Sequence, residues 1–277
     1  MDILIAFNLM LLCPAGLIVQ APAPSTNPPA LQAQTPKAVE LTTSMAIDVD
    51  GAPNAYGPRG KPALDFELNA HEGARASGEI VGYLTKADGR TPELQGPQDP
   101  FPGYYISTTS FQDESNPNRL DPRKYVDATK INYVVLGRFA AKSGAKPGDF
   151  VAVYSKQTGK SVFGIIGDSG NSSGAEGSLA LLQALGYAFS DGKTGGIEQK
   201  DIVIRYFPGS NSSRHFFKSQ AELDHAATLI GLSKDFAMQR QSALGDRDPA
   251  ASHHSALRGM QSTPTRQSFC HGNLKPT

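Results

Sequence analysis

The stretch GIIGDSGNSSGAEGSLALLQALGY, residues 164–187, decides how this chain is read. It starts as a β-branched strand, runs through a loop of glycine and serine, and closes as a short apolar helix predicted over 179–185. Ser178 stands where an N-cap is needed and Gly186 where a helix stops. Two acids punctuate the stretch, Asp168 directly after Gly167 and Glu176 eight residues on. The order of elements puts Asp168 at a strand end. Gly170 and Gly174 allow the tight turns that bring Glu176 back from the far side of the loop.

Working outward, β-branched and aromatic runs bounded by Gly, Pro, Asp or Asn predict strands at YYIST (104–108), YVVLG (133–137), DFVAVYS (149–155), SVFGIIG (161–167) and DIVIRYF (201–207). Gln157-Thr158-Gly159-Lys160 reads as a hairpin turn between two of them. A second helix is predicted over 220–232, with Ser219 and Glu222 spaced as a capping box. With 28 Gly and 20 Pro in 277 residues, the composition favours turns and strands over a helical bundle.

The ends of the chain carry different signals. Residues 1–21 hold an apolar run, broken by Asn8 and Pro14, that ends in the small-residue pattern Val19-Gln20-Ala21; they read as a signal peptide, although Asp2 replaces the usual basic start. Residues 22–44 are rich in Pro, Ala, Gln, Ser and Thr and read as a linker. Residues 45–236 form the expected catalytic domain, and the polar, aperiodic residues 237–277 a disordered tail. The chain is thus expected to be secreted or periplasmic, without stable membrane insertion after processing. Only Cys13 and Cys270 exist, so loss of the leader leaves no internal disulfide. His253, His254, Cys270 and His271 in the tail lack the further spaced ligands that a zinc site needs. Lys plus Arg and Asp plus Glu both number 26, which argues against a nucleic-acid partner.

Which group in 164–187 reacts is a question of chemistry. Gly167-Asp168-Ser169-Gly170 is spelled like the nucleophile loop of trypsin-type proteases. That reading needs a His base oriented by an acid, and neither His71, His215 nor His225 lies in such a context, so Ser169 is read as a loop residue. Two carboxylates facing each other suit glycoside hydrolysis instead, one protonating the leaving oxygen and the other activating water. The plainer alternatives are a turn-capping Asp168 and a Glu176 placed to favour a helix N-terminus.

The layout of 148–187, a hairpin, a strand ending in Asp and a short helix closing on Leu-Gly, resembles the central half of a double-psi β-barrel. Five blocks in order, AIDVDGAPNAYGP (46–58), PGYYISTTSF (102–111), YVDATKINYVVLG (125–137), GDSGNSSGAEGSLAL (167–181) and IVIRYFPGS (202–210), resemble glycoside hydrolase family 75, the fungal-type chitosanases and their bacterial relatives. The resemblance implies a mainly β fold, a six-stranded double-psi-like barrel with a few short helices, α+β overall. It also implies Asp168 and Glu176 as catalytic residues of an inverting endo-hydrolysis of β-1,4-linked glucosamine polymer, with either acid able to take either role. Ala175 stands where that family usually has Gly.

Chitosan is a polycation, so its cleft should be acidic even in a neutral chain. Asp48 and Asp50 are the candidates for binding glucosamine ammonium groups, and Tyr104 and Tyr105, with Tyr133, for stacking on sugar rings. Turn hydrogen bonding for the aspartates and core packing for the tyrosines are the structural alternatives. IDVDG lacks the further oxygen ligands of a calcium loop, so neither metal nor cofactor is expected. The expected partner is a polysaccharide met by a monomer. The competing readings are a non-catalytic barrel that binds cell-wall glycan and a lytic enzyme acting on peptidoglycan.

Overall fold

The computed structural model describes residues 37–71 and 78–236, all of them within one compact unit. The expected signal peptide, most of the linker and the expected tail lie outside the described residues. Six strands close a barrel in the order β1-β5-β2-β4-β3-β6: β1 (Val39–Asp48), β2 (Tyr133–Leu136), β3 (Phe150–Ser155), β4 (Ser161–Ser169), β5 (Glu176–Ser178) and β6 (Gly196–Tyr206). β1 runs parallel to β5 and β2 to β4; the other pairings are antiparallel. The sheet is therefore mixed, and it closes where β6 returns to β1 over Val39↔Tyr206 to Thr43↔Ile202. Three short helices complete the fold, α1 (Arg138–Lys142), α2 (Leu179–Ala184) and α3 (Gln220–Leu229). The mainly β, six-stranded barrel with few helices agrees with the sequence expectation. Among the described residues no helix is long and apolar enough to cross a membrane.

The barrel is held by branched side chains on neighbouring strands, with Val153 level with Ile204 and Val134 level with Ile166. Val151, Val153, Ile202, Ile204, Val134 and Ile166 are all fully buried. Each such side chain contributes about 1.5–3 kcal/mol relative to exposure. The turn after β3 carries Gly159 at φ 72°, so the hairpin forms at the place where the sequence puts it. Ser178 caps α2 by accepting from the Leu181 N–H at 3.1 Å, and Ser219 caps α3 by accepting from Glu222 N–H. Glu222 does not return the capping-box bond; its carboxylate accepts from Lys218 N–H and meets His215 Nε2 at 2.8 Å.

Three expectations change. The ordered chain begins before residue 45, because Val39–Thr43 pair with β6 and belong to the barrel. Residues 104–108 form no barrel strand; Tyr105 and Ser107 make only single bridges, to Leu94 and Tyr83, inside a layer of loops. Residues 176–178, read as loop, are a strand, because β1 and β2 flank them and supply their ladder partners.

Candidate active site

The site is built on one stretch of barrel wall by strand register. Met45 and Ile47 turn into the buried side of β1, which leaves Ala46 and Asp48 on the other side. Ala46 is level with Glu176 and Asp48 with Ser178, so Glu176 and Asp48 share that outer face. A β-carbon on Gly177 would lie 2.7 Å from Met45 Sδ, which marks the residue between Glu176 and Ser178 as the inward one. On β2 the same alternation puts Tyr133 and Val135 outward with Glu176, since Val134 is level with Gly177.

Asp168 reaches this face through an irregularity in β4. Ile166 is level with Val134, yet Asp168 rather than Gly167 is level with Val135. One extra residue is accommodated at Gly167, and it moves Asp168 from the buried side of Ile166 to the side of Tyr133 and Glu176. Only glycine fits there. A β-carbon at residue 167 would sit 2.6 Å from both Cβ and Cγ of Tyr133. The loop after β4 is then drawn back by a contact of two glycines, with an added β-carbon on Gly137 only 2.6 Å from Gly174 N.

The loop layer closes over this face. Phe111 N–H donates to Gly167 O, and Ser110 N–H donates to Asp168 Oδ1 at 2.8 Å. Ser169 N–H donates to the same oxygen at 2.7 Å. Asp50, just past β1, accepts from Tyr56 Oη at 2.7 Å, and its own N–H donates to Asp48 Oδ1 at 2.8 Å. Tyr133 Oη donates to Asp50 O at 2.9 Å and lies beside the Asp48 carboxyl.

Carboxylate oxygens of Asp48, Asp50 and Asp168 all lie within 4.8 Å of one another. Glu176 stands next to this trio and acts on all three electrostatically. Among the described residues none of the four acids forms an ion pair with a basic side chain. Charge neutralisation must therefore come from protons or from a bound cation. Burial, reinforced by the neighbouring acids, holds Asp48 and Asp50 well above the ordinary carboxylate range. Burial also raises Asp168, 8% exposed, to about 6, against the pull of the Ser110 and Ser169 N–H groups. Glu176 is raised by burial, with Asn171 opposing. The Asp48, Asp50 and Asp168 oxygens have the spacing to hold a divalent cation; the same spacing suits an ammonium group.

The structure thus brings together Asp168, Glu176, Asp48 and Asp50, four of the six site residues expected from sequence. Tyr104 and Tyr105 are corrected. Both are buried, Tyr104 with Lys61 Nζ 4.9 Å over its ring and Phe101 at its edge, Tyr105 against Tyr83 at 4.9 Å. Their faces are spent on packing, so neither offers a stacking platform. Tyr133 is fully buried as well and serves the acids through its hydroxyl. Sequence reading missed Tyr56, six residues past Asp50 in an aperiodic turn segment, and Ser110, whose contact with Asp168 spans 58 residues of chain and leaves no local signal. A cleft of about 570 Å³ in the loop layer, bordered by Asp113, Tyr125, Asp127 and Phe216 among others, includes none of the four acids. Neither a scan against protein-family models nor a search of the curated proteins finds a match to this chain.

Proposed function

We propose that the chain is an exported, monomeric glycoside hydrolase that cleaves β-1,4 linkages in a glucosamine polymer of the chitosan type by inversion. Asp168 is the general acid and Glu176 the general base. The observation that carries this reading is the meeting of Asp48 on β1, Asp50 just past it, Asp168 on β4 and Glu176 on β5 with no basic partner among the described residues. A polycationic sugar supplies the missing positive charge, and an uncharged or anionic glycan does not.

The division of roles follows from the surroundings. Asp168 lies nearly buried, with one oxygen held by two backbone N–H groups, which leaves the other to carry a proton. Its raised pKa of about 6 keeps a useful fraction protonated in weakly acidic solution. Glu176 is less buried than Asp168 and its loop partner is the Asn171 side chain, so it is the acid more open to water. In the step itself, Asp168 gives its proton to the leaving glycosidic oxygen. Glu176 takes one from the water that attacks the anomeric carbon. Asp48 and Asp50 receive the ammonium group of a neighbouring glucosamine.

The test is release of reducing ends from chitosans of graded acetylation, run beside purified peptidoglycan and followed by NMR of the first-formed anomer. Asp168→Asn and Glu176→Gln should each lower turnover at least 10³-fold, as roughly expected for loss of a proton-transfer group, with circular dichroism unchanged. Hydrolysis should also persist in EDTA. Turnover of peptidoglycan alone, or glycan binding without turnover, would replace the proposal by the lytic or the non-catalytic reading. Loss of activity on chelation would make the aspartate trio a metal site.

A further inference from the structure

The cleft in the loop layer has no part in the chemistry of the four acids. Its volume of about 570 Å³ falls inside the range of roughly 300–1,000 Å³ usual for small-ligand sites. Rigid apolar rings form much of the wall. Pro53, Pro117 and Pro122 border it, and Phe216, partly buried with its ring centre 5.9 Å from that of Phe111, adds an aromatic surface.

The charges of this cleft cancel, unlike those of Asp48, Asp50, Asp168 and Glu176. Asp127 meets Lys130 Nζ at 2.8 Å, and Asp121 meets Arg123 Nη1 at 2.9 Å. Asp113 has the positive charges of Lys218 and Lys124 nearby, and the Lys124 ammonium is itself spent on the Asp113 and Asn116 carbonyls. A wall balanced in this way has no net field to gather a polycation or a polyanion. It suits an uncharged occupant.

Asp113 sets the chemistry of that occupant. The residue is 8% exposed, and its Oδ1 accepts both the Ser115 N–H at 2.9 Å and the Ser115 hydroxyl at 2.6 Å, bonds that hold the carboxyl below the ordinary range. Among the described residues no hydrogen-bond donor meets its other oxygen. An ionised carboxylate oxygen on a cleft wall calls for a hydroxyl or amide N–H from the ligand, and the rings beside it call for an apolar face. A pyranose carries both.

We propose that this cleft is an auxiliary glycan site for uncharged, N-acetylated glucosamine units, distinct from the four acids, which take units bearing an ammonium group. The choice of glucosamine rests on the hydrolase reading; a site for an uncharged pyranose does not. The two places are close along the loop layer. Ser110 N–H bonds Asp168, and Asp113, three residues on, lines the cleft, a span of at most about 11 Å of chain. One partly acetylated polymer can therefore meet both.

The test is a titration of the full-length, ¹⁵N-labelled wild type with N,N′-diacetylchitobiose and, separately, with the same disaccharide fully deacetylated. The acetylated sugar should shift the backbone amides of 113–116, 125–131 and 216–218, and the deacetylated sugar those of 46–50, 168 and 176. No shift in the cleft at millimolar acetylated sugar, or equal shifts there from both sugars, overturns the proposal. Asp113→Asn keeps an oxygen for Ser115 and replaces the free acceptor by a donor, so it should weaken binding of the acetylated disaccharide about tenfold. Phe216→Ala should weaken it as well, and should one variant fail to fold, the other decides. Unchanged affinity in a folded variant refutes the site. No turnover is read in this titration. A chain that cleaves no chitosan thus refutes the hydrolase reading and leaves the cleft to be judged by its own shifts.

Discussion

Replacing Asp168 by Asn should make the protein more stable at neutral pH while destroying the proposed activity. Burial raises the Asp168 carboxyl from the ordinary 3.8 to about 6. A folded-state value above the unfolded one means that the native chain binds the proton more tightly. Its stabilising contribution is complete below about pH 4 and is lost as pH rises through about 6. At about 1.36 kcal/mol per pH unit, that interval costs the wild type about 3 kcal/mol at pH 7.5. With only 8% of the residue exposed, solvent screening reduces this little. Asn carries no charge to be penalised, and its Oδ1 can still accept the Ser110 and Ser169 N–H groups. Urea unfolding of both proteins at pH 4 and pH 7.5 reads the effect. The two should be nearly equal at pH 4, and Asp168→Asn should be ahead by about 3 kcal/mol at pH 7.5. Equal stability at pH 7.5, or a deficit in the variant at both pH values, would refute the placing of Asp168 among uncompensated acids.

Two further perturbations address how the site is held. Gly167→Ala forces a methyl to within 2.6 Å of Tyr133, which is fully buried and tied to Asp50, so the extra residue in β4 must shift. Overpacking of this kind costs about 1–3 kcal/mol, read as a lower Tm, with Asp168 displaced and turnover reduced. Arg205, 1% exposed, ion-pairs Glu40 at 2.8 Å, donates to the Ser233 and Asp235 carbonyls and lies 4.0 Å from the Phe236 ring. Arg205→Ala should cost about 3 kcal/mol and speed amide exchange over 232–236. Glu40→Gln should cost much less, because the Glu40 side chain is 45% exposed and Arg205 keeps its carbonyl acceptors.

The elements that repeat a simple period were legible before any coordinates. β2, β3, β4 and the second half of β6 fall in runs rich in β-branched and aromatic residues, while the first half of β6, Gly196 to Lys200, carries no such signal, and the caps at Ser178 and Ser219 act where the sequence places them. β5 was not legible, because three residues, Glu-Gly-Ser, have no strand period of their own and become a strand only between β1 and β2. The start of β1 was hidden for a related reason. Val39-Glu40-Leu41-Thr42-Thr43 follows a proline-rich segment, and its burial depends on β6, some 160 residues later. Tyr104 and Tyr105 misled because aromatic residues look alike in sequence whether their faces are open or packed.

By itself, the sequence determined that the chain has the strands for a barrel and that an acid stands at the end of one of them, since both follow from local spacing and side-chain type. Only the tertiary structure decided that Asp48, Asp50, Asp168 and Glu176 meet. Their meeting depends on the parallel register of β1 with β5 and on the extra residue at Gly167, and register is set by which strand lies alongside, a relation that no single segment contains.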